Sequence, residues 1–311
     1  MLVISRQEVE RLLDIGAMLD ALEDAFRALS SGAADVPSRI AARAPHGMLA
    51  AMPGRIPGTL AAKIVTVFPE NDARGAPSHQ AVILVADESD GTLLALLDGT
   101  NITATRTAGG SAVSVRHLAR PDASVLAILG AGVQGHSHIE VVPFVRDFRE
   151  IRVASRTVQH ARELAALHPR ARVVDTFEEA VRGAHVVCCC TDAREPILRR
   201  TWLADGCHVT SVGGTFGPEV DPDTVADARV FVESRTATAG PPPTGTFELA
   251  GRDPASVTEI GEVLAGLAPG RRDESELTLY KSMGHAVEDC ATARLVLERA
   301  LAEGVGVRVT V

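Results

Sequence analysis

Val125-Leu126-Ala127-Ile128-Leu129 runs straight into Gly130-Ala131-Gly132-Val133-Gln134-Gly135. A helical run follows, and Ile151-Arg152-Val153-Ala154-Ser155-Arg156-Thr157 closes the stretch. An apolar strand, a G-x-G-x-x-G turn that opens a helix, and a second strand are the order that a dinucleotide pyrophosphate requires. Gly130 permits the tight turn, Gly132 removes a side chain where backbone meets phosphate, and Gly135 lets helix and strand approach. Ala131, Val133 and Gln134 complete the loop, and the free N–H groups of the first helical turn face the anion. At the end of the second strand an NAD(H) site usually carries Asp or Glu for the ribose 2′-OH. Here Ser155, Arg156 and Thr157 stand in its place. One guanidinium and two hydroxyls suit a 2′-phosphate, so the expected cofactor is NADP(H), with NAD(H) possible. The alternative is an arginine that is merely solvated at a strand end.

Working outward, further strands are expected at 171–174, 185–191, 208–212, 229–232 and 277–281, with helical segments between them. That alternation builds a doubly wound parallel sheet. Residues 236–254, with Pro241-Pro242-Pro243, read as a surface loop without regular structure. Before the sheet, Ser5-Arg6-Gln7-Glu8 is a capping box. It opens two short helices, or one broken near Gly16, that end at Ser31-Gly32. Short extended runs follow at 36–43, 47–52, 59–68, 81–86 and 93–97, with Asp90-Gly91 as a hairpin signal. A helix from Asn101 to Leu118 ends at Arg120-Pro121-Asp122. A long helix from Met283 falls outside the alternation and is expected to return to the first domain. The fold class is therefore α/β, with a Rossmann doubly wound domain over 121–282. A smaller α+β domain over 1–120 is completed by 283–311.

At 311 residues the chain holds two domains of ordinary size. Charged residues make up 23% and the net charge is −9, which argues against nucleic acid or an anionic membrane as a partner. Met1-Leu2-Val3-Ile4 is too short for a signal peptide core, and no apolar run approaches membrane-spanning length. Cys188, Cys189 and Cys190 are consecutive on a strand, and no C-x-x-C occurs. They are expected to be buried thiols in a reducing cytoplasm, and no metal site is expected.

Hydride chemistry needs polar groups stranded in apolar surroundings. Lys63 sits in Leu60-Ala61-Ala62-Lys63-Ile64-Val65, and by itself could equally snorkel at a sheet edge. Arg106 lies in the small, Thr-rich run from Asn101 to Gly110 and could bind an anion there. Arg39 follows Val36-Pro37-Ser38 and alone says nothing.

These three residues belong to a wider pattern. Pro37-Ser38-Arg39, Met52-Pro53, Ala62-Lys63-Ile64-Val65, Ile102-Thr103-Ala104-Thr105-Arg106-Thr107-Ala108, Gly130-Ala131-Gly132-Val133-Gln134 and Tyr280-Lys281-Ser282-Met283-Gly284 with Glu288-Asp289 together resemble the ornithine cyclodeaminase/mu-crystallin family. The likeness runs through nearly the whole chain. It implies a homodimer built through the N-terminal domain, which would also bind substrate, and an active site between the domains. It implies that Arg39, Lys63 and Arg106 clamp the carboxylate of an amino or imino acid. It also implies that Ser78, Thr107, Thr191 and Ser282 line the cofactor.

Two departures narrow the expectation. Family members that cyclise ornithine carry a glutamate two residues before the Met-Pro pair, where this chain has Ala50. They also carry an aspartate after the Val-Gly of the fifth strand, where Val212-Gly213-Gly214 is followed by Thr215. Both carboxylates suited to an ammonium are missing. The expected activity is an NAD(P)H-dependent reductase of a C=N bond next to a carboxylate, or an amino-acid dehydrogenase in reverse. Ala50, Thr215, Phe216 and the Pro-rich loop hint at a neutral or bulky substrate. A cyclodeaminase-type lyase with bound NAD is the alternative, and a non-catalytic, crystallin-like NADPH-binding protein a second. His285 could be a second acid, but a solvated helix histidine is the expectation.

Overall fold

The structure, a computed structural model, describes residues 1–310, with the side chains of Asp72 and Ala73 left out. The chain forms β1 (Leu2–Ile4), α1 (Arg6–Leu12), α2 (Ile15–Ser30), β2 (Ile40–Ala44), β3 (Gly47–Ile56), β4 (Thr59–Val67), β5 (His79–Ala86), β6 (Leu93–Asp98) and α3 (Gly99–Leu118). There follow β7 (Val125–Leu129), α4 (Val133–Val141), β8 (Glu150–Ala154), α5 (Val158–Ala165), β9 (Ala171–Val173), α6 (Phe177–Val181), β10 (Val186–Cys189) and β11 (His208–Ser211). The last elements are α7 (Pro222–Asp227), β12 (Arg229–Val232), β13 (Thr258–Glu259), α8 (Ile260–Leu264), β14 (Thr278–Lys281), α9 (Ala286–Glu303) and β15 (Val307–Arg308). Two compact units result: Met1–Arg106 with His285–Val311, and Thr107–Gly284. The division falls inside α3, ahead of the Arg120-Pro121-Asp122 break.

In the first unit, Ser5 and Glu8 cap α1 reciprocally, and Glu8 Oε2 accepts from Ser5 N at 2.7 Å. The helix break falls at Leu13-Asp14 rather than at Gly16, because the Asp14 carboxylate accepts from Ala17 N at 2.8 Å and starts α2. Among the described residues seven strands pair in the order β15-β1-β6-β5-β4-β3-β2. The sheet is antiparallel except for β1 beside β6. The run expected at 36–43 pairs only from Ile40. Two strands, β1 and the edge strand β15, are too short to show periodicity.

This sheet alternates cleanly. Ala50, Met52, Ile56, Ala61, Lys63, Ile83, Val85, Ala95 and Leu97 are buried on one face, where α9 packs across β3, β4 and β5. Val9, Met18, Leu22 and Phe26 of α1 and α2 are buried as well, each contributing about 1.5–3 kcal/mol. On the other face Ile40, Leu49, Leu60 and Val82 are exposed.

In the second unit eight strands among the described residues follow the order β13-β12-β14-β11-β10-β7-β8-β9. All neighbours in it are parallel. Chain order reverses between β7 and β10. That reversal opens a crevice at the carboxyl ends of the two strands, the usual seat of a ligand in such sheets. The stretch expected to be a surface loop is partly core. Ala237 and Leu249 are buried, and short 3₁₀ turns occupy Arg235–Thr238 and Pro254–Ser256. The proline run blocks a regular helix or strand, but apolar residues on either side of it still seek the interior.

Candidate functional site

In the second unit the glycine turn has the geometry its residues promise. Gly130 ends β7 with φ +106°, and a Cβ there would lie 2.7 Å from Cys190 O and 2.8 Å from Thr191 Cγ2. Only glycine satisfies both the torsion and the space. A Cβ on Gly135 would lie 2.3 Å from Gly130 O, so turn and helix are in close approach. A Cβ on Gly132 would meet nothing within 4 Å. Gly132 is the N-cap of α4 and makes no side-chain cap bond, so the first N–H groups of α4 are left for an anion. Ala131 is buried, while Val133 and Gln134 start α4. This cradle fits a dinucleotide pyrophosphate.

Ser155, Arg156 and Thr157 follow β8, the strand beside β7. The Arg156 side chain is 86% exposed, with Asp192 Oδ1 at 3.6 Å. Thr191 follows β10, across the crevice from the turn. Its hydroxyl is already engaged: Thr191 Oγ1 donates to Glu219 Oε1 at 2.6 Å, and the backbone N–H does the same at 2.6 Å. Ser282, past β14, likewise donates to Glu233 Oε1 at 2.6 Å. Thr107 is buried in α3. The five cysteines are free and buried, and burial raises their thiol pKa values.

The first unit holds a separate charged cluster. Lys63, on the covered face of β4, is 2% exposed, and Arg106 in α3 is 3% exposed. Both reach Asp289 in the first turn of α9. Lys63 Nζ donates to Asp289 Oδ1 at 3.0 Å, and Arg106 Nε donates to the same oxygen at 3.0 Å. Arg106 Nη1 adds a bond to Glu288 Oε2 at 3.2 Å. Glu288 in turn accepts from the His285 N–H at 2.5 Å and so caps α9. Burial and the Arg106 charge outweigh Asp289 and lower the Lys63 pKa from 10.5 to about 8. Burial pushes Asp289 upward, but Arg106 and Lys63 prevail and hold it below 3.8.

Arg39 is half-buried and acts on both Lys63 and His285 electrostatically. Ser78 stands ahead of β5, with its hydroxyl 3.2 Å from His79 Nδ1. His285 is not solvated, contrary to expectation. It is 8% exposed, and burial, then the Arg39 charge, lower its pKa to about 4, so it is neutral at pH 7. The N-cap position turns it inward, where helix periodicity alone leaves it on a surface.

Lys63 and Arg106 are thus brought together, and the glycine turn, Thr191 and the Ser155–Thr157 segment share neighbouring strand ends. Sequence reasoning gave no role to Asp289, Glu288, Glu219, Glu233, Glu248 or Lys281. Lys281 carried the same signal as Lys63, a lysine in an apolar strand. It is fully buried, with Nζ 3.0 Å from Glu248 Oε1.

Comparison with known proteins shows the family and the fold. A model of the ornithine cyclodeaminase/mu-crystallin family matches residues 1–304. Ketimine reductase mu-crystallin of Mus musculus is 38% identical over 258 residues, which cover 81% of this chain and 80% of the mouse protein. Among solved structures, Delta(1)-pyrroline-2-carboxylate reductase of Thermococcus litoralis, in complex with NADH and L-proline, superposes with a TM-score of 0.93. The identity is 33%, covering 99% of this chain and all (100%) of the other. An archaeal alanine dehydrogenase dimer with bound NAD gives a TM-score of 0.91 at 28% identity, covering 100% of this chain and 99% of the other.

Proposed function

The chain belongs to the ornithine cyclodeaminase/mu-crystallin family, and we propose that it is an NAD(P)H-dependent reductase of a C=N bond next to a carboxylate. In reverse it is an amino-acid dehydrogenase. The observation that carries this reading is the burial of Lys63 and Arg106 against Asp289 and Glu288, with the Arg39 charge beside them. Asp289 and Glu288 offset much of the cost of enclosing these two cations, and the Arg39 charge acting on the cluster favours a further anion. Relatives named for ketimine and pyrroline-2-carboxylate reduction support the reading.

Arg39 and Arg106 orient the substrate carboxylate, since a guanidinium fork matches two carboxylate oxygens. Lys63, with a pKa near 8, carries a proton at neutral pH and delivers it from Nζ to the imine nitrogen. Asp289 holds Lys63 Nζ and Arg106 Nε in register. The dinucleotide, when bound, supplies the hydride. Gly130, Ala131, Gly132, Val133 and Gln134 cradle it, Ser155, Arg156 and Thr157 take its ribose end, and Thr107, Thr191, Ser282 and Ser78 complete its surroundings. Arg156 favours NADP(H), and NAD(H) remains usable.

The molecule is a homodimer in this reading, with the exposed Ile40, Leu49, Leu60 and Val82 face of the first unit covered by a second copy. A monomer in sedimentation would remove that part. Five free, buried cysteines fit a reducing cytoplasm. No helix among the described residues is long and apolar enough to cross a membrane.

The direct test is loss of NAD(P)H absorbance with a panel of cyclic imino acids, and with 2-oxo acids plus ammonia or methylamine. Turnover is expected with the neutral cyclic ketimines and is lost in Arg106→Ala. Ammonia release from a diamino acid, with no net change in dinucleotide, would replace the reductase by the lyase.

A further inference from the structure

Glu219 is fully buried and accepts four hydrogen bonds. Thr191 N and Thr191 Oγ1 meet Oε1, each at 2.6 Å. Ser211 Oγ and Gly213 N meet Oε2, each at 2.8 Å. Behind it, the Glu219 N–H donates to Glu248 Oε1 at 2.9 Å, the carboxylate that pairs with Lys281. Lys281 Nζ also donates to Ser211 Oγ at 2.9 Å and to Gly213 O at 2.8 Å. A Cβ on Gly213 would lie 2.4 Å from Glu219 Cδ, so the carboxyl group is seated directly on that backbone.

The donors sit at the carboxyl ends of β10 and β11. Thr191 is the residue whose methyl faces Gly130, at the point where strand order reverses. A buried carboxylate costs several kcal/mol and is often no better for stability than an apolar replacement. What this one supplies is position: it fixes two donors of a single residue that forms one wall of the crevice. With the hydroxyl donating to Glu219 and accepting from Ala193 N at 3.3 Å, Thr191 presents its methyl group, not a donor, to the glycine turn.

We infer that Glu219 is a positioning residue for the dinucleotide: by holding Thr191 and Gly213, its carboxylate keeps the β10 wall of the crevice at the spacing that the glycine turn and cofactor require. This rests on the dinucleotide reading given above. It acts on cofactor affinity and leaves proton delivery by Lys63 untouched.

The test uses the full chain and titrates NADPH and NADH by nicotinamide fluorescence. Glu219→Gln keeps the shape but turns an NH₂ toward a donor. Loss of a charge-assisted bond is expected to raise both dissociation constants about tenfold. The kcat at saturating dinucleotide should stay within about twofold, so the effect appears in KM. Thr191→Val removes only the hydroxyl and should weaken binding about threefold, and the double variant should bind no worse than Glu219→Gln alone. Val225→Ala, a core truncation in α7, supplies the control in which Tm falls while affinity does not.

If folded Glu219→Gln binds within about twofold of the unaltered chain, whether or not its Tm falls as in Val225→Ala, the positioning role is overturned. Should Glu219→Gln not fold, Thr191→Val decides, and unchanged affinity overturns the inference. If the folded, unaltered chain binds neither dinucleotide, the functional reading itself falls, an outcome distinct from a silent Glu219.

Discussion

Two of the buried charge clusters among the described residues are built on opposite plans. In the second unit Glu219 meets backbone N–H groups and hydroxyls of neighbouring strand ends. In the first, Lys63 and Arg106 reach across from a strand and a helix to a carboxylate in a second helix. The Glu219 cluster ties a carboxylate to main chain, and main chain does not move without the sheet. The Lys63 cluster ties side chains to side chains, and its lysine is held by burial well below its ordinary pKa. One arrangement fixes main chain, and the other pairs buried cations with carboxylates and leaves a lysine that titrates near pH 8.

The largest expected effect comes from breaking the second plan. Asp289→Asn leaves Lys63 and Arg106 without their shared charge, and loss of one member of a buried ion pair costs about 3–5 kcal/mol. Urea denaturation reads that loss. Lys63 also loses the group that raises its pKa, so the alkaline limb of kcat/KM, expected near pH 8 in the unaltered chain, should move to lower pH. Stability runs the other way on this group. Because the folded pKa is about 8 against the ordinary 10.5, the unfolded chain binds more protons between these values. The Lys63 contribution is full above 10.5 and is lost as pH falls through about 8. A limb that did not move in Asp289→Asn would show that Lys63 is not the titrating acid.

A smaller effect belongs to a charge outside both clusters. Arg156 is exposed and lies 3.6 Å from Asp192, so removing it leaves no buried partner stranded. Arg156→Ala should weaken NADPH about tenfold, as one charge-assisted phosphate contact is lost, while NADH binding stays unchanged. Equal effects on both cofactors would place Arg156 away from the 2′-phosphate.

The glycine turn was readable because its chemistry is local: torsion, close approach and helix start all lie within six residues, Gly130 to Gly135. Lys63 and Arg106 were readable as polar residues in apolar company, with roles implied by the family resemblance. Asp289 was visible only as part of a motif, since 226 residues separate it from Lys63 and no periodicity spans that distance. Glu219 and Glu248 lie in loops, where a carboxylate is ordinarily solvated. His285 was misplaced because an N-cap does not follow the helix repeat. Leu249 was misplaced because prolines forbid a regular helix but do not forbid burial.

The amino-acid sequence by itself determined the parallel sheet and the dinucleotide turn, because alternation, glycine torsion and short-range capping depend only on neighbours along the chain, while the family rested on resemblance across scattered motifs. Tertiary structure alone decided which carboxylates meet which cations. It also decided that Thr191 and Ser282 give their hydroxyl protons to glutamates, and that one face of the first sheet is left apolar and open. Those outcomes depend on which surfaces are desolvated together, and desolvation is settled only when distant elements pack.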